Sequence, residues 1–562
     1  MPPLLIWLLI FFTLCFGSLY VYLTWNYDHW KKRSIPHEKP HFPFGNIGRV
    51  ILGKESIIEF YRNIYDRFKG QRYMGFIMLK EPTLIVQDPG LIKNVLIKDF
   101  SHFHDRGFPV DEIKDPMSGN IFNLPGSRWH SLRSKLSPTF TSGKMKYMFP
   151  IVHACAEHLQ KTLKSSFLSI IGRCHINSKA ALFPLHLKTA AETERMGGSI
   201  EVKELMARYT TDVIGSAAFG VEVRSLDNPE SEFRVIGRRI LSATLSNAIR
   251  SFLFVFAPSL AIKLGVRSAD PVAEDFFTKI VKDTVTYREE NNVKRADFLQ
   301  LLLGLKAGSQ EDTAKDHEEA ELTMNQLTAQ CFIFYVGGFE TSATTLSFAL
   351  FELSRDLAVQ RKLLDEVDRV LGESEGEITY EGLAKMHYMD CVIAETLRKY
   401  PAVPVLFREC TKEWTIPSAQ ETGSVASEWK PETRDGGHVV EVGTKVHIPL
   451  IGLHYDPEYF EDPDRFDPER FTEEGRKKWP QFAYLPFGEG PRICIGMRFG
   501  NMQTKAGLTA LLSKFEFRVS SKMADPIVLD KVNMVPIVVG GMWLQPIERS
   551  HAIAPKEKGC RD

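Results

Sequence analysis

The stretch Phe487-Gly-Glu-Gly-Pro-Arg-Ile-Cys-Ile-Gly496 places one cysteine, Cys494, among three glycines. A structural zinc site would need further Cys or His ligands at recognisable spacing, and none occurs between Phe487 and Asn501. A single thiolate is sufficient where the other ligands of a metal come from a macrocycle, as in a haem with an axial cysteine. The glycines allow tight turns and a close approach of the backbone to such a ring. The stretch therefore predicts a thiolate-ligated haem, and an inert buried cysteine beside a glycine turn is the alternative.

The same stretch resembles the haem-binding loop of the cytochrome P-450 superfamily. That loop has Phe, Gly, Arg, Cys and Gly at the positions of Phe487, Gly490, Arg492, Cys494 and Gly496, and all five residues match. The resemblance implies that Cys494 is the axial thiolate ligand of haem b (iron protoporphyrin). It also implies that Phe487, Arg492 and Gly496 help to bind the cofactor, and we expect Arg492 to pair with a haem propionate.

Glu395 and Arg398 lie three residues apart on a predicted helix that Pro401 ends, so their side chains share one face. An isolated Glu-x-x-Arg pair is usually a solvated surface pair. In the family, however, these two side chains and a later arginine, here Arg470, form a buried network behind the haem loop. We expect this network to be structural, and loss of one member would cost roughly 3 to 5 kcal/mol because it leaves a buried charge unpaired.

The sequence Gly337-Gly-Phe-Glu-Thr341 lies within a proline-free run, 323–355, that predicts one long central helix. Each glycine costs roughly 1 kcal/mol relative to Ala in a helix interior. We therefore expect a local distortion at Gly337 and Gly338, with close helix packing as the alternative. The family has Gly-x-Glu/Asp-Thr at this point, and the resemblance assigns Glu340 and Thr341 to proton transfer at the oxygen site.

Trp129 and Arg133 stand four residues apart on a basic predicted helix. A basic helix is usually a solvated face, but an indole prefers a buried site with a hydrogen-bond partner. The family uses the Trp and the Arg at these positions to bind the haem propionates, and Arg408 occupies a similar family position. The resemblance also places a cationic patch near the thiolate side, suited to an acidic redox partner, and its members are Arg128, Lys135, Arg498 and Lys505.

The segment from Leu4 to Trp25 contains no charged residue, and as a helix it would measure roughly 33 Å, enough to cross a bilayer. A cleaved signal peptide is the alternative, but the segment lacks a basic start and exceeds the roughly 7 to 15 residues of an h-region. The basic run Lys31-Lys-Arg33 follows, so the positive-inside rule places the remaining chain in the cytosol. We expect residues 1–25 to be a transmembrane signal anchor of the endoplasmic reticulum. A basic and Pro-rich linker, residues 26–45, would then form a stiff, extended spacer.

The chain has 562 residues, of which 44% are hydrophobic and 25% charged, an ordinary globular composition. Basic and acidic residues number 70 each, so no net field attracts nucleic acid, and we expect no nucleic-acid partner. Eight scattered cysteines argue against a disulfide scaffold. No repeat or linker divides the body. We therefore predict one large, mainly α (α+β) domain with small β-sheets and the family's fold, residues 46–548, and a C-terminal tail, residues 549–562.

Local patterns predict several elements of this domain. Two apolar runs within 73–86 flank Lys80-Glu-Pro82 and predict a hairpin, after which Asp88 caps a helix that begins at Pro89. Helical periodicity predicts further helices over 200–220, 323–355 and 356–371, the second with a capping box of Thr323 and Gln326.

Two stretches depart from the family pattern. Residues 167–187 form an extra apolar segment, and residues 426–439 lengthen a loop that is normally short. We interpret the first stretch as a gene-model insertion such as translated intron. A genuine extension beside the substrate or membrane surface is the alternative, and sequencing the transcript across this region decides between them.

The resemblance implies a haem-thiolate monooxygenase that inserts one atom of O2 into a lipophilic small molecule. The amino-acid sequences of 204–212 and 492–498 are similar to those of insect microsomal members of the family. This similarity implies foreign substrates such as plant toxins or insecticides, with hormones or fatty acids as alternatives. No dinucleotide-binding glycine fingerprint follows a strand in the sequence. Electrons from NADPH would therefore arrive through a separate flavoprotein reductase, optionally with cytochrome b5, and membrane lipid is a further expected partner.

Two other functions stay open at this point. A reductase-independent isomerase or dehydratase that acts on peroxides uses the same scaffold, but such enzymes commonly lack an acid and alcohol pair like Glu340 and Thr341. A membrane-bound haem binder without turnover is the second alternative. Several aromatic residues either line a substrate pocket or belong to the core, namely Phe103, Phe108, Phe122 and the run 252–256.

Overall fold

The computed structural model describes residues 3–176, 198–242, 244–307, 322–422 and 437–550. Over these ranges the chain is mainly helical with three small β-sheets, as the sequence predicts. Of the two stretches that depart from the family pattern, residues 177–187 and 426–436 lie outside the described residues, as do residues 551–562 of the predicted tail.

The α-helices are numbered here in chain order. The first ten are α1 Pro3–Thr24, α2 His29–Lys32, α3 Gly48–Ile51, α4 Ile57–Arg67, α5 Pro89–Lys93, α6 Gly126–Leu136, α7 Ser142–Ile176, α8 Val202–Ile214, α9 Glu232–Leu241 and α10 Leu245–Phe256. The others are α11 Pro258–Leu264, α12 Pro271–Asn291, α13 Phe298–Ala307, α14 Met324–Arg355, α15 Leu357–Glu373, α16 Tyr380–Ala384, α17 His387–Lys399, α18 Ala419–Thr422, α19 Leu450–His454 and α20 Met497–Leu512.

The strands are short and form sheets of four, three and two strands within the described ranges. They are β1 Tyr73–Met78, β2 Glu81–Val86, β3 Ile200–Glu201, β4 Leu406–Glu409, β5 Trp414–Thr415, β6 Val439–Val440, β7 Lys445–Ile448, β8 Phe515–Val519 and β9 Trp543–Glu548. The largest sheet has the order β1-β2-β7-β4, and the predicted hairpin is its β1-β2 pair. In the β4-β7 pair Arg408 lies opposite Val446, and the Arg408 side chain is buried.

Helix α14 is the central helix of the core, and most of its side chains are buried. Its predicted capping box is confirmed, because the Gln326 amide donates to Thr323 Oγ1 at 3.2 Å and the Thr323 amide donates to Gln326 Oε1 at 3.1 Å. The expected distortion at the glycine pair is wrong, since α14 continues unbroken from Met324 to Arg355. A Cβ on Gly338 would lie 2.7 Å from Ile214 Cδ1, so close packing against α8 requires this glycine.

Other predicted elements differ at their ends. The predicted helix over 200–220 divides into β3, α8 and a π-helical turn, Gly215–Phe219, that Gly220 ends at φ +70°. Asp88 caps α5 as predicted, with the Leu91 amide donating to its carboxylate at 2.9 Å. Asp356 likewise caps α15 through the amides of residues 358 and 359.

The linker after the anchor, which we expected to be a stiff, extended spacer, packs against the body of the protein. Trp30 is 2% exposed, and its indole Nε1 donates to the Phe76 carbonyl at 2.9 Å. A Cβ on Gly75 would lie 2.3 Å from the Trp30 ring, so the glycine makes room for the indole. The Gly75 amide also donates to the Pro36 carbonyl at 2.7 Å. The linker therefore lies along β1, and burial of the large Trp30 indole favours this contact.

Among the described residues, one helix is long and apolar enough to cross a membrane, the stretch Leu4–Thr24. Its side chains are almost all exposed, unlike those of a soluble core helix. These properties are consistent with a membrane anchor.

Candidate functional site

The loop that carries Cys494 makes two sharp turns before α20. Gly488 and Gly490 have φ values of +72° and +73°, a region that favours glycine. A Cβ on Gly490 would lie 2.0 Å from the Leu96 carbonyl oxygen, so the loop packs directly on the backbone of residues 94–98. The Cys494 amide donates to the Phe487 carbonyl at 2.9 Å and closes the loop. A Cβ on Gly496 would meet no atom of the described residues within 4 Å, so this side of the loop faces open space.

The environment of the Cys494 sulfur acts on its thiol in two directions. The protein atoms packed around it raise the pKa of the thiol. The backbone N–H groups of Gly496 and Met497 and the guanidinium groups of Arg133 and Arg106 oppose this effect because they stabilise the thiolate. The side chain is nevertheless accessible, so the sulfur can reach a ligand.

Four guanidinium groups surround this loop, those of Arg106, Arg133, Arg408 and Arg492. Burial lowers the pKa of each one, to about 10 for Arg408 and to about 9 for Arg492. Their mutual repulsion adds to the effect for Arg106 and Arg492. Among the ion pairs of the described residues, one includes a member of this cluster. In that pair Arg492 Nη2 lies 3.6 Å from Asp105 Oδ1. The cluster is therefore short of negative charge.

An unsatisfied donor shows that the cluster fits an anionic group. Arg408 is 2% exposed, and within the described chain its Nε atom has no hydrogen-bond partner. A buried donor without a partner is costly. The two propionates of a haem would supply the missing acceptors and the missing charge, so the residues present fit the cofactor that the sequence predicts.

Arg106 is the member of this cluster that the sequence analysis missed. Its guanidinium donates to the carbonyls of Phe122 at 2.9 Å and Arg492 at 3.1 Å, and it lies 4.2 Å from the centroid of the Phe122 ring. It stands in the loop His104-Asp-Arg-Gly107 without a motif of its own. Only the folded chain brings this loop to Cys494.

Trp129 and Arg492 also hold the Cys494 loop against neighbouring segments of the chain. Trp129 is 3% exposed, and the Arg492 guanidinium lies 4.0 Å from its ring centroid. Arg492 also donates to the carbonyls of His104 and Leu124, both at 2.8 Å. These contacts join α6 and the 104–124 segment to the Cys494 loop.

The Glu395–Arg398 pair is fully buried, with both side chains 0% exposed. Arg398 donates to both Glu395 oxygens, at 2.7 Å and 2.8 Å, and to the carbonyls of His454 and Pro463. Arg470 Nε lies 3.5 Å from Glu395 Oε1, so the structure brings the three predicted network residues together. Burial raises the pKa of Glu395 in spite of its arginine partners.

His454 links this network to the Cys494 loop, and the sequence analysis missed it. Its Nε2 accepts from the Leu485 amide at 3.1 Å, so its Nδ1 carries the proton and donates to the Arg398 carbonyl at 3.2 Å. Burial lowers the pKa of His454 to about 3. No local motif marks this histidine, because both of its partners are backbone atoms of distant segments.

Glu340 and Thr341 are neighbours in α14 but have different partners. Glu340 is 4% exposed, and its Oε1 lies 2.7 Å from Nζ of Lys203 on α8. Lys203 also donates to Thr344 Oγ1 at 2.6 Å. Thr341 Oγ1 donates to the Gly337 carbonyl at 2.6 Å, and a Cβ on Gly337 would meet no described atom within 4 Å. Thr341 therefore lies next to open space, whereas the Glu340 carboxylate is held by an ammonium group that the sequence did not predict.

The predicted cationic patch needs one correction. Lys505 is 6% exposed, and its Nζ bonds Asp390 at 2.8 Å, so it belongs to the interior rather than to a docking surface. Lys505 on α20 contacts Asp390 on α17, and the sequence alone does not reveal this contact between distant segments. Arg498 is exposed, and Arg128 pairs with Glu112.

The chain matches the family model described as Cytochrome P450 over residues 35–171, 175–420 and 429–539. Cytochrome P450 6a2 of Drosophila melanogaster is 37% identical over 546 residues, which covers 96% of this chain and 99% of that relative. Cytochrome P450 6A1 of Musca domestica is 39% identical over 517 residues, with 91% and 92% covered. Cytochrome P450 9e2 of Blattella germanica is 37% identical over 554 residues, with 96% and 98% covered.

Proposed function

Because the chain belongs to the cytochrome P450 family, we propose that Cys494 provides the axial thiolate of its haem and that the arginine cluster holds the haem propionates. Membership makes the chain a monooxygenase, an oxidoreductase with a thiolate-ligated haem. The observation that carries the residue assignment is the accessible Cys494 sulfur beside four arginines that share one carboxylate partner in the described chain.

When bound, the haem supplies oxygen activation and the transfer of one oxygen atom to a substrate. The chain's own residues set the conditions for that chemistry. Two backbone N–H groups, those of Gly496 and Met497, stabilise the Cys494 thiolate. Phe487 and Gly490 shape the loop, while Arg106, Arg133, Arg408 and Arg492 neutralise the propionates. Glu395, Arg398 and Arg470 keep the loop in place from behind.

Proton delivery is the role that we propose for Glu340, Thr341 and Lys203. Thr341 Oγ1 already donates to the Gly337 carbonyl beside open space, so its oxygen is available as an acceptor on that side. The Lys203 ammonium group lies 2.7 Å from Glu340 Oε1 and holds this carboxylate beside Thr341, where it can pass protons toward the oxygen site. Lys203 therefore acts as a positioning residue for Glu340.

A stack of aromatic rings supports a lipophilic substrate. Phe108 stacks on Phe122 at 5.4 Å and on Phe254 at 5.8 Å between ring centroids. Phe122 is 40% exposed and also contacts Arg106 of the haem-site cluster. We propose that these rings border the substrate pocket, whereas Phe103 is fully buried against Trp414 and belongs to the core. Kinship with insect relatives favours foreign compounds such as plant toxins or insecticides over hormones or fatty acids.

The proposed location is the endoplasmic reticulum membrane, with the catalytic domain in the cytosol. The apolar helix Leu4–Thr24 and the basic run Lys31-Lys-Arg33 support this orientation. The proposed electron donor is an NADPH-dependent flavoprotein reductase, with cytochrome b5 as an optional second donor. Exposed Arg498 remains a candidate contact for an acidic partner.

Reconstitution of the full chain with haem, reductase and NADPH tests the function. We expect a thiolate-type carbon monoxide difference spectrum and NADPH-dependent oxidation of members of a lipophile panel. Peroxide conversion without reductase would instead favour an isomerase or dehydratase. The same spectrum without any turnover would favour a haem binder.

A further inference from the structure

A groove of about 700 Å³ lies between the anchor helix α1 and the turn that joins β1 to β2. None of its lining residues belongs to the Cys494 site. Its lining includes Leu14, Gly17, Val21, Tyr22, Asn26 and Lys80.

One end of the groove is polar and positively charged. Lys80 Nζ donates to Tyr22 Oη at 2.8 Å and lies 3.9 Å from the centroid of the Tyr22 ring. Asn26 Nδ2 donates to the Lys80 carbonyl at 3.1 Å, which fixes the turn against the helix. Lys80 belongs to none of the ion pairs found among the described residues, although it acts electrostatically on the neighbouring Glu81. Lys263 of α11 acts electrostatically on Tyr22 as well. Glu81 is the acidic neighbour, and it is half-buried with Lys445 as a second cation nearby.

The other end is apolar and runs along α1, where Leu14, Gly17 and Val21 line it. From Leu14 to Trp25 the helix rises roughly 16 Å, about the hydrocarbon depth of one leaflet. Gly17 lines the groove, and a Cβ on it would meet no described atom within 4 Å. Trp25 is 77% exposed at the polar end, as expected for an indole at the membrane interface.

We propose that this groove binds one anionic glycerophospholipid of the cytosolic leaflet, with its headgroup beside Lys80 and one acyl chain along Leu14, Gly17 and Val21. The proposal rests on the membrane anchoring given under Proposed function. The length of the apolar wall along α1, its depth in the leaflet and the positive charge of Lys80 together fit an anionic lipid with an acyl chain. A free phosphate would leave the apolar wall uncovered, and a neutral lipophile would leave the ammonium group without an anion.

The test uses the full-length, haem-loaded protein in vesicles of equimolar phosphatidylcholine and phosphatidylserine. Flotation of the vesicles measures anchoring, and mass spectrometry of the gently solubilised protein measures the phospholipid that stays bound. Lys80→Gln removes the cation, and Gly17→Leu fills the groove without displacing a neighbour. Lys39→Gln is the matched control, because Lys39 is an exposed linker lysine that does not line the groove.

We expect the wild type and Lys39→Gln to retain phosphatidylserine in preference to phosphatidylcholine. Lys80→Gln should reduce that preference about fivefold, the effect of one basic residue at an anionic surface. Gly17→Leu should reduce retention of both lipids while flotation stays unchanged. Equal retention of the two lipids by the wild type, or an unchanged lipid ratio in Lys80→Gln, would overturn the site alone. Failure of every variant to float would overturn the membrane anchoring, and this site with it.

Discussion

Replacement of Arg398 by methionine tests the buried network behind the Cys494 loop most severely. The change removes the guanidinium that donates to both oxygens of Glu395, a carboxylate that is 0% exposed. Glu395 would keep the Asp467 amide at 2.9 Å and Arg470 Nε at 3.5 Å. The carbonyls of His454 and Pro463 would each lose a donor.

The expected loss of stability follows from these contacts. Removal of one partner from a buried ion pair costs roughly 3 to 5 kcal/mol, and each orphaned carbonyl adds about 1 kcal/mol. The remaining contacts of Glu395 with Arg470 and the Asp467 amide offset part of this cost, so Arg398→Met should lose about 3 to 5 kcal/mol. The double variant Glu395→Met with Arg398→Met lacks the unpaired charge and should be about 3 kcal/mol more stable than Arg398→Met. Glu395 already has a raised pKa, and loss of Arg398 raises it further. Because the pKa of Glu395 is higher in the folded than in the unfolded protein, the free energy of unfolding falls as the pH rises. Arg398→Met should therefore be less stable at pH 8 than at pH 5.

Urea unfolding of the haem-loaded proteins measures these differences, followed by circular dichroism and by the carbon monoxide spectrum. Arg369→Met is the matched control, because Arg369 and Glu373 form an exposed pair at 3.0 Å that should contribute no more than about 0.5 kcal/mol. If Arg398→Met does not fold, the unfolding free energies of Arg398→Lys and of the double variant can be compared instead. A loss below about 1 kcal/mol in Arg398→Met, or a double variant no more stable than it, would refute the reasoning.

Three further changes follow from the site. Arg408→Leu should speed haem dissociation about tenfold, since it removes a charge-assisted contact to a propionate, and haem transfer to apomyoglobin measures the rate. Lys203→Met should lower turnover at least about tenfold, because the ion pair no longer positions Glu340, and the rate of NADPH-dependent product formation measures the loss. The buried His454 has a pKa of about 3, below its unfolded value, so wild-type stability should fall as pH drops below about 6.5. His454→Gln should reduce that slope by up to about 1.4 kcal/mol per pH unit, as urea midpoints at pH 7 and pH 5 would show.

Two of these changes have a matched control variant. Lys203→Arg keeps the positive charge and should retain most of the turnover, and equal loss in both variants would contradict the positioning role. Arg361 is exposed on α15, so Arg361→Leu should leave the haem dissociation rate unchanged. If the stability of His454→Gln depends on pH as steeply as that of the wild type, the claim that His454 is buried in its neutral form is contradicted.

The sequence predicts best where a local pattern carries the physics. Capping residues Thr323 and Asp88 bond to amides three residues away, so their roles are visible along the chain. The turns at Gly488 and Gly490 need a backbone conformation that favours glycine, and their positive φ values agree with the sequence prediction. The buried Glu395–Arg398 pair is predicted because the family motif, and not the local spacing, separates it from a surface pair.

Prediction fails where the deciding partner is distant in the chain. Gly338 is a glycine because Ile214 packs against it, and Lys505 is buried because Asp390 lies opposite it. The role of Trp30 depends in the same way on the space over Gly75. Arg106 and Lys203 join the candidate site through contacts between segments, and no spacing rule relates such segments in the sequence.

Cys494→Ser in the full-length, haem-reconstituted protein tests the central claim most directly. The measurements are the carbon monoxide difference spectrum and the rate of NADPH-dependent product formation, with Cys15→Ser on the exposed face of the anchor as the control. The account predicts that Cys494→Ser loses the thiolate-type spectrum and the product, while Cys15→Ser keeps both. Retention of that spectrum and of product formation by Cys494→Ser would contradict the account.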